Sequence, residues 1–135
     1  MGQEVRASDD LHLRRRGPHM VKTKRVYDPV SAGDGKRILI DRLWPRGVSR
    51  ESARLFQWRK DLAPSDELRR SFGHDPRRFP VFRARYRKEL MRKADAVATL
   101  VMEAESGTVT LVYAAKDPKY CNATVLKELL EECLD

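Results

Sequence analysis

The chain has 135 residues, 41% of them hydrophobic and 36% charged, which suits one domain around one hydrophobic core and leaves little room for two. No run approaches the roughly 18 apolar residues of a membrane span, and no apolar stretch follows the basic start, so a cytoplasmic protein is expected. The two cysteines, Cys121 and Cys133, make neither a disulfide framework nor a zinc constellation, while a net charge of +8 and a pI near 9.8 favour anionic partners such as nucleic acid, nucleotides, phosphorylated metabolites or acidic proteins.

Residues 1–19 are polar and without apolar periodicity. They end in Arg14-Arg15-Arg16-Gly17-Pro18-His19, ahead of Met20. They read as a disordered leader or a cloning remnant, with a single domain over 20–135. The leader carries four basic and three acidic side chains, so the basic character belongs to the domain.

Lys22 to Tyr27 is a short strand candidate, closed by Asp28-Pro29. Ser31 to Gly35 is a turn with two glycines. Arg37 to Leu43 is a second strand, and its apolar centre predicts burial on both faces, as in a parallel or mixed sheet. Trp44-Pro45-Arg46-Gly47 ends it abruptly. A broken helical pattern from Ser49 to Leu62 puts Leu55, Trp58 and Leu62 on one face. Ser65 is placed to cap a short helix through Phe72, with Asp66 and Glu67 suiting its dipole. The longest helix is predicted over 79–105, with Pro80 in its first turn and a stripe through Phe82, Tyr86, Leu90, Val97, Val101 and Ala104. Thr108 to Tyr113 is the clearest strand, β-branched and apolar. After the loop at Asp117-Pro118, a last helix runs from Asn122 or Ala123 to Leu134, burying Val125, Leu126, Leu129, Leu130 and Cys133. The fold class is therefore α/β: a small mixed or parallel sheet with helices packed on it.

Two loops follow apolar strands, and in open α/β sheets ligands sit at the carboxyl ends of strands. The first holds Asp41, Arg42, Trp44 and Arg46. Arg46 stands on a stiff turn and can meet phosphate or carboxylate with two donors. The competing reading makes Trp44 a core plug and pairs Asp41 with an arginine. The second loop runs through Lys116, Asp117 and Lys119 to a helix start at Asn122, where exposed N–H groups favour an anion. Structural capping by Asn122 is the alternative there. Neither loop has a glycine-rich cradle, so no phosphate-loop or dinucleotide fingerprint is present. If the strands before the two loops run side by side and parallel, Asp41, Arg42, Arg46, Lys116, Asp117 and Asn122 share one edge, with Trp44 as wall or floor.

Cys121 at a helix start is a weak nucleophile candidate, because no arginine follows it at phosphatase spacing. His74 is a lone loop histidine. With no cluster of ligating side chains, no metal site and no cofactor are expected. The stretch 77–93 is strongly basic. Arg78, Arg85, Lys88 and Arg92 lie off the apolar stripe and would be the nucleic-acid-facing residues, if that face is not simply solvated.

Lys24 to Asp28, Asp34-Gly35 and the run Arg37-Ile38-Leu39-Ile40-Asp41-Arg42-Leu43-Trp44-Pro45-Arg46-Gly47 resemble the start of the YeaO-like proteins, the family called domain of unknown function 488. Leu62-Ala63-Pro64-Ser65, Phe72-Gly73-His74-Asp75-Pro76 and Leu111 to Asp117 are similar to that family in order and spacing, so the resemblance spans 22–134. It implies an α/β domain and no established activity. It matches Asp41, Arg42 and Arg46 to one family strand end, and Asp117, Cys121 and Asn122 to the segment after the last strand. The expected function is a small-anion or nucleotide-type binding domain, with catalysis left open. A nucleic-acid-binding accessory module and a structural interaction protein are the alternatives.

Overall fold

A computed structural model of the chain describes residues 20–134. The expectations about residues 1–19 lie outside the described residues. The strands are β1 (Val21–Arg25), β2 (Lys36–Leu39), β3 (Gln57–Trp58) and β4 (Val109–Tyr113), in sheet order β1-β4-β2-β3, and every pairing is parallel. The helices are α1 (Arg50–Ala53), α2 (Asp66–Phe72), α3 (Phe79–Met91), α4 (Ala94–Glu105) and α5 (Asn122–Leu134). The sheet is thus parallel rather than mixed.

Strand order dictates where the connections run. The chain advances across the sheet from β1 to β2 and on to β3, then steps back to β4. Parallel crossovers share one hand, so forward and return connections cover opposite faces. Burial agrees. Ile38, Ile40, Val109, Leu111 and Tyr113 face the main core with Leu62, Phe82, Tyr86, Leu90, Leu100, Leu126 and Leu130. On the other face Val26, Leu39 and Val112 are covered by Trp44, Val48, Leu55 and Trp58 from the forward connections. The four-residue α1 is the one helix in those forward connections, and α2 to α5 all lie along the return path or after β4.

Local sequence explains most boundaries. The Ser65 hydroxyl accepts the Leu68 N–H at the start of α2, and Gly73 closes that helix in the left-handed conformation (φ 56°). Pro80 sits in the first turn of α3, where its missing N–H costs nothing.

Two expectations change. The single helix over 79–105 is two helices broken at Arg92 and Lys93, where the Lys93 ammonium donates to the Asp61 carbonyl. The break falls where the apolar stripe skips from Leu90 to Val97. The helical pattern over 49–62 is also resolved differently. Only Arg50–Ala53 is α-helical; Gln57–Trp58 is a strand on β2, and Lys60–Leu62 is a 3-10 turn. Leu55 and Trp58 therefore pack under one face of the sheet while Leu62 enters the main core on the other.

Candidate functional site at the strand ends

β2 and β4 are neighbours in register, Leu39 opposite Val112, and the Ile40 N–H donates to the Val112 carbonyl at 3.1 Å. Beyond that bond the two chains part. The one leaving β2 turns to the face covered by Trp44 and Trp58; the one leaving β4 turns to the helical face and enters α5. Adjacent parallel strands whose continuations leave for opposite faces open a crevice at their carboxyl ends.

Asp41 sits at this edge, just past the end of β2. Its Oδ2 accepts the Ala114 N–H at 2.8 Å and its Oδ1 accepts from Asn122 Nδ2 at 3.0 Å. Its main-chain carbonyl accepts from Trp58 Nε1 at 2.8 Å. Asn122 Nδ2 also donates to the Ile40 carbonyl at 3.1 Å. One aspartate and one asparagine thus lock β2, β3, β4 and α5 together and satisfy backbone groups left where the ladder ends. Burial raises the Asp41 carboxyl pKa above the ordinary carboxylate value; the bonds from Asn122 and Ala114 and the charges of His74 and Arg69 oppose that rise.

The cationic side chains at this edge come from two elements. Arg42 Nε lies 3.7 Å from Asp66 Oδ2, and Arg69 Nη2 lies 3.5 Å from Asp66 Oδ1. A single carboxylate in the first turn of α2 therefore holds two guanidiniums, each about half exposed. His74, also exposed, follows Gly73 with a positive φ of 58°, a conformation uncommon for a residue with a side chain. Its ring lies 6.2 Å from that of Phe72.

The structure thus brings Asp41 and Asn122 into contact, with Arg42 beside them. Lys116 is exposed on the second loop. Asp117 turns inward on its own loop, accepting the Lys119 and Tyr120 N–H groups at 2.9 and 3.0 Å, so it shapes the turn into α5. Arg46 is exposed, and its carbonyl accepts from the Tyr27 hydroxyl at 3.0 Å. Trp44 is the plug of the competing reading. It meets Trp58 edge-on at 5.2 Å, donates Nε1–H to the Val48 carbonyl and lies under Arg50. Asn122 holds neighbouring strands, and Asp41 is bound to that amide instead of an arginine. Sequence reasoning did not place Arg69 at this edge; its only signal is its position three residues after Asp66, one helical turn on.

Cys121 is 2% exposed, its Sγ against Thr124 Oγ1 and the Pro118 carbonyl. Both cysteines are free thiols. Among the described residues no group of three or more His, Cys, Asp or Glu could hold a metal ion. Nor is any helix among them long and apolar enough to cross a membrane. Two open surface clefts, of about 380 and 450 Å³, are lined mostly by polar side chains: one by Thr23, Thr124, Lys127 and the Pro118-Lys119 part of the loop after β4, the other by Gln57, Arg59, Thr99, Met102 and Glu103. Neither is lined by Asp41, Arg42, Arg69 or Asn122.

On the basic helix α3, Arg83 Nε is 2.7 Å from Glu128, and Arg87 reaches Glu132 at 2.7 Å and Glu128 at 3.8 Å. Arg78 pairs with Asp75 and donates to the Ser71 carbonyl. Arg85, Lys88 and Arg92 are exposed.

A family model described as "Inactive DUF488-N3 subclade" matches residues 20–135. The chain belongs to this family. It is 41% identical over 110 residues to an uncharacterized protein of Mycobacterium tuberculosis strain H37Rv, covering 82% of this chain and 92% of the relative. It is 39% identical over 110 residues to the uncharacterized protein YeaO of Escherichia coli strain K12, covering 82% and 96%. No solved structure matches the chain. The YeaO-like resemblance read from the Arg-Leu-Trp-Pro-Arg-Gly segment is thereby shown.

Proposed function

We propose that this DUF488-N3 domain binds a small anion or nucleotide-type ligand at the carboxyl edge of β2 and β4, and that it binds without turnover. One observation carries the reading. The edge where β2 and β4 end carries Arg42, which shares the Asp66 carboxylate with Arg69, and exposed His74 and Lys116 stand on neighbouring loops. Guanidiniums spaced about one carboxylate can exchange that partner for a phosphate, which offers each of them a bidentate contact. The exposed pairs they make with Asp66 add little to stability, typically under about 1 kcal/mol, so release from Asp66 is cheap.

Binding without turnover is supported by the family's description as inactive and by Cys121, the one candidate nucleophile, being buried at 2% exposure. Asp41 is already engaged as a structural acceptor. The nucleic-acid reading has less support. Glu128 and Glu132 answer the arginines on the α5 side of α3, and an acidic neighbour works against phosphate tracking.

The test is a thermal-shift screen with inorganic phosphate, nucleotides and sugar phosphates. A ligand of the native state stabilises it by RT ln(1 + L/Kd), where L is the free ligand concentration, so the melting temperature rises with the logarithm of ligand concentration above Kd. The reading expects such a rise, and expects Arg42→Ala to abolish it while leaving unliganded melting nearly unchanged. A shift untouched in Arg42→Ala and Arg69→Ala would contradict it.

A further inference from the structure

Asp41 is the anomaly of this edge. A partly buried carboxylate is commonly met by a cation. Among the described residues, however, the hydrogen bonds to the Asp41 carboxylate come from the Ala114 N–H and the Asn122 amide, both neutral, while His74 and Arg69 act on it by charge alone. Arg42, its immediate neighbour, turns to Asp66 instead, and so does Arg69. Asp41 is held at three points, its main-chain carbonyl by Trp58 and its carboxylate by Ala114 and Asn122, which keeps the carboxylate at this edge. Each of its oxygens holds one hydrogen bond where two can be accepted.

We infer that the ligand of this site carries a hydrogen-bond-donating group, hydroxyl or amino, next to its anionic group, with Asp41 receiving the donor while Arg42 and Arg69 hold the anion. This inference rests on the anion-binding reading above and deepens it. A bare anion would gain the guanidiniums but meet the Asp41 carboxylate as a like charge. A ligand with an adjacent donor turns that repulsion into a charge-assisted hydrogen bond, and Asp41 becomes the residue that selects it. Ala114 and Asn122 keep the carboxylate aimed before the ligand arrives, so little ordering is lost on binding.

The experiment compares three phosphate esters on the full chain by calorimetric titration: methyl phosphate, which has no donor, glycerol phosphate, which has hydroxyls, and aminoethyl phosphate, which has an ammonium. The expected result is that glycerol phosphate or aminoethyl phosphate binds about ten-fold tighter than methyl phosphate or better, the size of one hydrogen bond to a charged group. Which of the two gains more identifies the donor. Asp41→Asn should abolish the gain, with methyl phosphate binding tightened as the like charge is removed. Should that variant fail to fold, the side-chain amide resonances of Asn122 in the unaltered protein give a second readout, shifting with the donor-bearing esters and not with methyl phosphate. Equal affinity for all three esters would overturn the inference and leave the anion reading standing. Absence of binding by any of them would overturn both.

Discussion

At the scale of single residues, two aspartates, Asp34 fully buried and Asp41 partly so, do opposite things. Asp34 is 3% exposed and is met by Lys24 Nζ at 2.8 Å, Arg37 Nη1 at 2.8 Å and the Ser31 hydroxyl and N–H. Burial alone would raise its pKa; the bonds from Lys24, Ser31 and Arg37 outweigh that and hold it below the ordinary carboxylate value. A folded-state value below the unfolded one contributes stability above the unfolded pKa, which is lost as pH falls through the folded value. Asp34→Ala should therefore cost about 3–5 kcal/mol at neutral pH, because it leaves Arg37 buried and unpaired. In denaturant titrations the gap to the unaltered protein should close below about pH 4. Asp41 has the opposite sign. Its raised value means that folding favours the protonated form more than the unfolded chain does, so that contribution to stability is lost as pH rises through the folded value. Asn122→Ala removes a donor from both the Ile40 carbonyl and Asp41 and should cost about 1–3 kcal/mol in urea unfolding. A change within error would mean that water replaces the amide freely. The roles of both residues were hidden in the sequence. Asn122 reads as a helix cap because capping is what asparagine does locally, whereas its actual partners lie 81 and 82 positions away.

At the scale of elements, sequence legibility followed length and apolar content. β4 and the core of β2 were readable because both are continuous apolar runs, and Val109 to Val112, Ile38, Leu39 and Ile40 are all fully buried. α2 was readable from Ser65 and Gly73. β3 was not, because two residues carry no periodicity and exist as a strand only by pairing with Ile38 and Leu39. The break between α3 and α4 was legible only as a gap in a stripe. The turn into β2 supplies a prediction at this scale. Gly35 has φ 61°, and a Cβ there would lie 2.2 Å from the Thr108 carbonyl oxygen, so this turn is pressed against the start of β4. Gly107, two strands' ends away in sequence but at the same end of the sheet, has open space around it. Gly35→Ala should destabilise by well over about 1 kcal/mol, while Gly107→Ala should be neutral or gain a few tenths, to about 1 kcal/mol at most. Equal thermal shifts for the two variants would show that the close approach at Gly35 is relaxed in solution.

At the scale of the whole molecule, the parallel sheet has helices on one face and mostly loops on the other, and this asymmetry places the site. The forward connections carry Trp44 and Leu55 under the sheet, beside Trp58 of β3, and no helix longer than α1; the long return path carries α2 with Asp66 and Arg69, and the loop after it holds His74. A chain beginning at Met20 should unfold at the same denaturant midpoint as the full chain, since Met20 contributes its carbonyl to the Val109 N–H and the core starts at Val21. A lower midpoint would assign residues 1–19 a packing role. The parallel pairing of β2 and β4 was an open condition in the sequence, and with it the convergence of Asp41 and Asn122; no local pattern states which strands are neighbours. An anion held at this edge should be visible directly. The most direct measurement is a backbone amide NMR titration of the full chain with inorganic phosphate. Binding at the strand ends gives saturable shifts centred on Arg42, Arg69, His74, Ala114 and Asn122, and only weak, non-saturating changes along Arg85, Lys88 and Arg92. Saturable shifts confined to the α3 face, or none at the strand ends, would contradict it.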